Sequence, residues 1–298
     1  MDSEPRLSQE TNNIYWFTLQ SRISEGKAVK AFQFLRGSGF EPILIKGFAA
    51  ARFYPEKWRR QYSDVDLCVE PSAFERAKKL AESPEGRRYN IDLHNGLRRL
   101  DPVPWEDLMQ NSELVEIEDS TVRILRPEDH LRVLCTHWLT DGGAYRERLW
   151  DIFYLIEKRP EAFDWKRGLD AAGPRRRRWV VCCLGLARKY LGLNIKDTPV
   201  AEEAGNLPVW LTRAVEKEWQ SQIRLKPLYT CLNDWRVFSQ QIRKRIPPNP
   251  IQATVEMEGD FDESSRLKYQ WGSVLSRIPP SVFRLGSAFR ENFEKKNV

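Results

Sequence analysis

Three strand-like segments lie between residues 42 and 94, and they constrain the fold more than any other part of the sequence. Residues 42–45 (PILI) are apolar and β-branched, which is typical of a buried strand. Residues 64–69 (DVDLCV) alternate in polarity, and residues 89–94 form a third strand pattern with a polar face. Helical patterns at residues 48–54 and 71–82 separate them. This succession predicts an α+β fold built on a small mixed β-sheet with flanking helices.

The pattern changes near residue 125, where strand signals give way to amphipathic helices. Helical spacing of apolar residues recurs in segments 127–138, 146–158, 178–191, 209–219 and 235–246. A chain of 298 residues is long enough for two domains. We therefore expect a first domain over residues 1–124, with N-terminal helices, and a mostly α-helical domain over residues 125–298.

Composition indicates a soluble globular protein that operates in the cytoplasm. Hydrophobic residues make up 41% and charged residues 30%, and the longest apolar run, residues 179–187, is too short to cross a membrane. The acidic start lacks the pattern of a secretory signal. The five cysteines form no C-x-x-C pair, so we expect reduced thiols. A net charge of +6 suits an anionic ligand without requiring one.

Two carboxylates in the second strand pattern point to a metal site. Asp64 and Asp66 are two residues apart, so a strand would place both on one face. Such a pair repels unless a cation lies between its members, and Mg²⁺ is an oxygen-seeking cation that suits it. Asp92, in the third strand pattern, could face the same site. Surface strands also carry such pairs without metal, so the spacing alone leaves both readings open.

Basic residues near these carboxylates are candidates for binding a phosphate. Lys46 and Gly47 follow the first strand, where a glycine lets the backbone approach a phosphate closely. Arg59 and Arg60 precede the acidic strand and could bind a triphosphate through two parallel hydrogen bonds each, or be solvated loop charges. His94 could contact a phosphate, orient Asp92 or have a structural role.

These motifs resemble the uncharacterised nucleotidyltransferase family of the polymerase-β-like nucleotidyltransferase superfamily. That family reads L-K-G followed by Y-P, then S-D-I-D-L-L-V, D-L-H and a helical L-x-P-E-D block. The corresponding segments of this chain are residues 44–47 (LIKG), 54–55 (YP), 63–69 (SDVDLCV), 91–94 (IDLH) and 125–131 (LRPEDHL). A further segment at residues 150–152 (WDI) is similar to the family's W-x-x-D-I helix. The resemblance extends over roughly residues 27–200.

The resemblance implies transfer of a nucleoside monophosphate from an NTP to an acceptor hydroxyl or phosphate, with release of pyrophosphate. Asp64, Asp66 and Asp92 would bind Mg²⁺ or Mn²⁺, and Asp92 would also act as general base. Lys46 and Gly47 would hold the β- and γ-phosphates. The superfamily's usual Gly-Ser is Gly-Phe here, so Lys46 would replace the serine hydroxyl.

The acceptor and the turnover itself are left open by the sequence. The helical domain would close the cleft and bind the acceptor, for which a small molecule or peptide is favoured over an RNA end. The basic run at residues 175–178 could bind a polyanion or be a solvated helix end. Alternative functions are a non-catalytic nucleotide-, RNA- or protein-binding module on the same scaffold and a toxin-like enzyme that modifies tRNA.

Overall fold

A computed structural model describes residues 9–56, 60–97, 99–117, 119–221, 223, 225–231 and 234–277. In the first half of the chain the helices are α1 (Gln9–Gly37), α2 (Gly47–Ala51), α3 (Phe74–Ala81) and α4 (Trp105–Gln110). The strands are β1 (Ile43–Leu44), β2 (Val65–Val69), β3 (Ile91–Asn95), β4 (Glu113–Ile117) and β5 (Ser120–Ile124). The three predicted strands are therefore present, and β4 and β5 extend the sheet beyond the prediction.

The second half of the described chain is helical. Its helices are α5 (Pro127–Thr140), α6 (Leu149–Glu157), α7 (Trp165–Asp170), α8 (Gly173–Leu191), α9 (Val209–Gln220), α10 (Trp235–Arg245), α11 (Pro250–Glu256) and α12 (residues 267–277). The prediction of an α+β fold with a mixed sheet and a helical second half is confirmed. No helix of the described residues is long and apolar enough to span a membrane.

The five strands form one mixed sheet in the order β3-β2-β1-β5-β4. β2 pairs in parallel with β3 and antiparallel with β1, and β1 pairs in parallel with β5. The hairpin of β4 and β5 completes the sheet on the side away from β3. β2 is thus an interior strand that contacts a parallel neighbour on one side and an antiparallel neighbour on the other.

Alternation along β2 separates an apolar face from a face that carries polar groups. Leu67 and Val69 pack with Phe32 and Leu35 of α1 in one apolar cluster. Cys68 belongs to a second cluster on the opposite face, together with residues near α4 and α5. Because strand side chains alternate between faces, Asp66 shares the face of Cys68. The buried β2 strand therefore directs Asp66 to the face covered by α4 and α5.

The described chain divides into two compact units. Of the described residues, those up to 136 and those from 147 to 201 form one unit, and those from 137 to 146 and from 202 onward form the other. Within the second unit, Trp219 Nε1 donates to Gly143 O at 2.8 Å and Trp210 Nε1 donates to Phe261 O at 2.8 Å. The two units are defined by packing and do not test what each part does. The predicted domains, residues 1–124 and 125–298 with their separate roles, therefore stay a prediction.

A buried ionic network holds the helices of the first unit together. Arg132 of α5 is 2% exposed and pairs with Asp101 at 2.7 Å and with Asp129 at 2.6 Å. Asp129 also pairs with Arg167 of α7 at 2.8 Å. Removing a charge from water costs free energy, and only a partner of opposite charge with good hydrogen bonds can offset that cost. The network therefore fixes α5 against α7 and against the segment before α4.

Replacing Arg132 by Leu should lower the free energy of unfolding by about 3–5 kcal/mol, because it leaves the buried carboxylate of Asp101 without its ion pair. Urea unfolding followed by circular dichroism measures this change. The matched control is Arg36→Leu, since Arg36 pairs with Glu41 at 3.3 Å with both side chains more than a third exposed. That change should stay within about 1 kcal/mol. Equal losses in the two variants would contradict the role given to the buried network.

Candidate active site

Asp66 is the most buried acidic residue of the site and the point where its charges meet. The residue is 6% exposed and lies second in β2. Lys46 Nζ forms an ion pair with its Oδ1 atom, and His94 Nε2 lies 3.1 Å from the same oxygen. Two cationic or proton-carrying groups therefore converge on one oxygen of a single buried carboxylate.

Asp92 lies beside Asp66 because of the parallel pairing of β2 and β3. Asp66 is directly opposite Asp92 in the register, and Cys68 is opposite His94. The Asp92 side chain is 52% exposed, and its Oδ2 atom lies 3.4 Å from His94 Nε2. One ligand atom each of Asp66, Asp92 and His94 falls within 4.8 Å of the others. The expectation that the two carboxylates share a site matches this placement.

His94 links the two carboxylates electrostatically. Hydrogen bonding to His94 lowers the pKa of Asp92 to about 2, against the opposing effect of partial burial. Burial opposes the charge on His94, but its hydrogen bonds to Asp66 and Asp92 outweigh that effect and raise the pKa of the imidazole above 6.5. The two neighbouring carboxylates therefore favour the protonated form of His94.

Lys46 reaches Asp66 from an uncommon backbone conformation. It lies two residues after the end of β1 and immediately before α2, with φ 51° and ψ −132°, and its carbonyl accepts the amide hydrogen of Ala50 at 2.7 Å. A positive φ at a non-glycine residue costs free energy of order 1–3 kcal/mol and persists only where surrounding contacts maintain it. The buried ion pair with Asp66 is such a contact.

Gly47 permits a close approach by an aromatic ring. A Cβ atom at this position would lie 3.2 Å from Cδ2 of Tyr62, which is tighter than ordinary packing. The glycine therefore lets Tyr62 pack directly on the backbone beside Lys46. The sequence pointed to Gly47 as a phosphate contact, and its contact with Tyr62 gives the residue a packing role as well.

Asp64 lies outside the group formed by Asp66, Asp92 and His94. β2 begins at Val65, and Asp64 is exposed just before it. Asn90 holds this segment: its Nδ2 donates to Ser63 O at 2.9 Å, and its carbonyl accepts the Val65 amide hydrogen at 3.1 Å. The predicted metal role of Asp64 thus concerns a residue at the edge of the site, and it stays a prediction.

Arg60 is held by an acidic residue that the sequence did not single out. Arg60 Nε donates to Asp151 Oδ1 at 2.7 Å, and Tyr54 OH donates to the same oxygen at 2.7 Å. The resemblance included Tyr54 and Asp151 as motif residues but gave them no role. Arg59, the other predicted triphosphate contact, lies outside the described residues.

The basic run at residues 175–178 is partly committed to internal contacts. Arg176 is 8% exposed, donates to Leu100 O at 3.1 Å and lies 5.3 Å from the Trp179 ring centroid. Arg177 pairs with Asp170 at 3.2 Å. Two of the four side chains therefore stabilise the fold around α8, which reduces the charge available to a polyanion.

An open groove of about 550 Å³ lies beside the segment that leads into β2. Helix α1 forms one wall and residues 61–63 form the other. Its lining residues are Trp16, Gln20, Ile23, Ser24, Lys27, Gln61, Tyr62 and Ser63. Ser63 of this groove immediately precedes Asp64 in the chain, but α1 packs on the face of β2 opposite to that of Asp66.

The donor atoms fit a divalent cation. Asp66 and Asp92 supply carboxylate oxygens, which Mg²⁺ and Mn²⁺ prefer, and His94 adds an imidazole nitrogen that Mn²⁺ also accepts. The ammonium and imidazole groups at Asp66 show that these carboxylates attract positive charge. A bound cation could satisfy the same oxygens.

Nuclear magnetic resonance of the imidazoles should find the pKa of His94 above 6.5 in metal-free protein. The folded protein is then stabilised by this proton at pH values below 6.5, and the contribution is lost as the pH rises through the raised pKa. Asp66→Asn should lower the pKa of His94, because it removes one of its two carboxylate partners. Asp64→Asn is the matched control and should leave it unchanged.

His130 provides an internal reference for the titration. It is 1% exposed, and burial lowers its pKa to about 3, so its resonances should stay constant from about pH 5 to about pH 9. A His94 pKa at or below 6.5, or one that does not respond to Asp66→Asn, would contradict the proposed link between the carboxylates.

Comparison with known proteins identifies the family. A profile of the uncharacterised nucleotidyltransferase family matches residues 11–86 and 81–192, more than half of the chain. The matched region contains all five strands, Lys46, the three neighbouring site residues and Asp151. No curated protein and no solved structure matches the chain significantly. The resemblance noted in the sequence is confirmed, and the chain belongs to the uncharacterised nucleotidyltransferase family.

Proposed function

We propose that this protein is a Mg²⁺-dependent nucleotidyltransferase that moves a nucleoside monophosphate from an NTP to an acceptor hydroxyl or phosphate. One observation carries the proposal: Asp66, Asp92 and His94 converge within 4.8 Å, with Lys46 on the buried carboxylate. Family membership supplies the reaction class. Acidic oxygens for a cation and basic groups for phosphates are the two requirements of phosphoryl transfer.

In the proposed reaction the acceptor oxygen attacks the α-phosphorus of the NTP. The bond from this phosphorus to the bridging oxygen of the β-phosphate breaks, and pyrophosphate leaves. Mg²⁺, when bound by Asp66 and Asp92, would neutralise the phosphoryl oxygens and the leaving pyrophosphate. Asp64 is proposed as a further ligand from the edge of the site. Mn²⁺ could replace Mg²⁺ at the same oxygens.

Lys46 and Arg60 are the proposed phosphate contacts of the described chain. The ammonium group of Lys46 has three donors, so it could contact a β- or γ-phosphate oxygen in addition to Asp66. Arg60 donates to Asp151 and Gln61 through Nε and Nη1, so its Nη2 is the proposed donor to a phosphate oxygen. Gly47 is proposed to let the phosphates approach the backbone beside Lys46.

Asp92 is proposed mainly as a metal ligand. Its pKa of about 2 favours the ionised form that binds a cation. A hydroxyl acceptor must lose a proton during the attack, and the proposed general-base role gives that proton to Asp92. A carboxyl group with such a low pKa would hold the proton only briefly and would then release it to solvent.

We propose a small molecule or a peptide as the acceptor. The engagement of Arg176 and Arg177 in internal contacts favours this choice over an RNA end. The helical second half is proposed to close over the site and contribute to acceptor binding.

Asp66→Asn and Asp92→Asn should each reduce the rate of transfer by at least about 100-fold. Losing a hydrogen-bonding partner of a metal ligand already lowers metal affinity or activity roughly 10–100-fold, so losing the ligand itself should cost at least as much. The assay incubates the protein with α-labelled NTPs, Mg²⁺ and a cell extract, and mass spectrometry then identifies the labelled product. The matched control is Glu82→Gln, which changes an exposed carboxylate at the C-cap of α3. This control should transfer label at the wild-type rate.

The same assay separates the proposal from its alternatives. Wild-type transfer rates in both Asp variants would contradict the assignment of the site. Transfer of label to tRNA would replace the proposed acceptor with that of a tRNA-modifying enzyme. NTP binding that is independent of Mg²⁺, with no transfer, would favour a non-catalytic module.

A further inference from the structure

Asp151 of α6 is a buried carboxylate that joins two separated parts of the site region. Its side chain is 3% exposed, and its Oδ1 atom accepts hydrogen bonds from Tyr54 OH and Arg60 Nε, each at 2.7 Å. Tyr54 follows α2 and Arg60 precedes β2. Asp151 therefore holds both ends of the segment that connects the Lys46 region to the strand of Asp66.

The charges show that this contact fixes a cation near Asp66. Burial opposes the charge on Arg60, but the ion pair with Asp151 outweighs it and raises the pKa of the guanidinium, with Asp66 adding in the same direction. Burial and the Asp151 charge both raise the pKa of Tyr54, so its hydroxyl remains a donor. Arg60 is thus held permanently charged within the field of the Asp66 carboxylate.

One nitrogen of Arg60 remains available for a ligand. Its Nε binds Asp151 and its Nη1 donates to Gln61 O at 2.7 Å. Its Nη2 atom has no hydrogen-bond partner among the described residues, and the side chain is 18% exposed. A guanidinium held at two nitrogens has lost most of its rotational freedom, so a further hydrogen bond would cost little conformational entropy.

We propose that Asp151 is a positioning residue, which fixes the Arg60 guanidinium so that it can bind the triphosphate of the NTP. The inference rests on the proposed function, since it gives Arg60 a phosphate partner. Asp151 itself does not contact the substrate; it supplies the charge and the acceptor oxygen that hold Arg60 in place. Tyr54 assists by donating to the same oxygen from the other end of the segment.

A double-mutant cycle tests this role. Asp151→Asn and Arg60→Gln should each raise the KM for the NTP about tenfold or more, the usual effect of losing a hydrogen bond to a charged group. The value of kcat should change much less. The double variant should be no worse than Arg60→Gln alone, because both changes remove the same interaction. Tyr54→Phe is the matched control: it removes one hydrogen bond to Asp151 but keeps the ion pair, so its effect on KM should be smaller.

Binding of a non-hydrolysable NTP analogue with Mg²⁺, measured by calorimetry, gives a second readout that needs no turnover. Affinity should fall in Asp151→Asn and Arg60→Gln by similar factors. If Asp151→Asn fails to fold, Asp151→Glu keeps the charge and shifts it by one methylene, and it should raise KM while circular dichroism stays native. A native-like KM in the folded Asp151 variant, or additive effects in the double variant, would overturn the inference.

Failure of the inference and failure of the proposed function give different results. If wild-type protein transfers no nucleotide and binds no NTP analogue, the proposed function has failed. If wild-type protein transfers label and Asp66→Asn does not, but Asp151→Asn keeps the wild-type KM and affinity, only the positioning role of Asp151 is refuted.

Discussion

The buried carboxylate of Asp66 is the constraint on which the site depends. A charge that is almost wholly removed from water must be paired, or the free energy of its desolvation would oppose folding. Lys46 and His94 provide that pairing from opposite neighbours of β2, one after β1 and the other from β3. The need to pair the Asp66 charge also explains the positive φ of Lys46, because the ion pair can offset the strain of that backbone conformation.

The same pairing explains how the site could exchange one cation for another. In the protein alone, the ammonium group of Lys46 pairs with Asp66, and the imidazole of His94 contacts both carboxylates. A metal–nucleotide complex brings both a divalent cation and an anionic triphosphate, so the carboxylates could turn to the metal while Lys46 turns to a phosphate. Arg60 does not need to change partner in this way. Its Nε and Nη1 donate to Asp151 and Gln61, and its Nη2 has no hydrogen-bond partner among the described residues.

Local sequence patterns were sufficient to predict the centre of this arrangement. The alternation of residues 64–69 and 91–94 predicts that Asp66 and Asp92 share a sheet face, and the parallel register places them side by side. The resemblance of residues 44–47 (LIKG) and 63–67 (SDVDL) to the family's motifs predicted the family as well as the reaction class. These signals are local, since each depends on the period of a strand or on a few adjacent residues.

The remaining features depend on contacts between residues far apart in the chain. Asp151 is 91 residues from Arg60, and no spacing rule relates the two. The contact of Gly47 with Tyr62 also arises only on folding. Asp64 illustrates a boundary effect: the predicted strand began one residue early, so the side chain lies at the exposed edge instead of within the β2 ladder.

The most direct test of the central claim is anomalous diffraction from crystals grown with Mn²⁺ and a non-hydrolysable NTP analogue. The account predicts a manganese peak bonded to carboxylate oxygens of both Asp66 and Asp92, with the triphosphate against Lys46. Crystals that bind the analogue but show no manganese at these two carboxylates, or show it only at a distant site, would contradict the account.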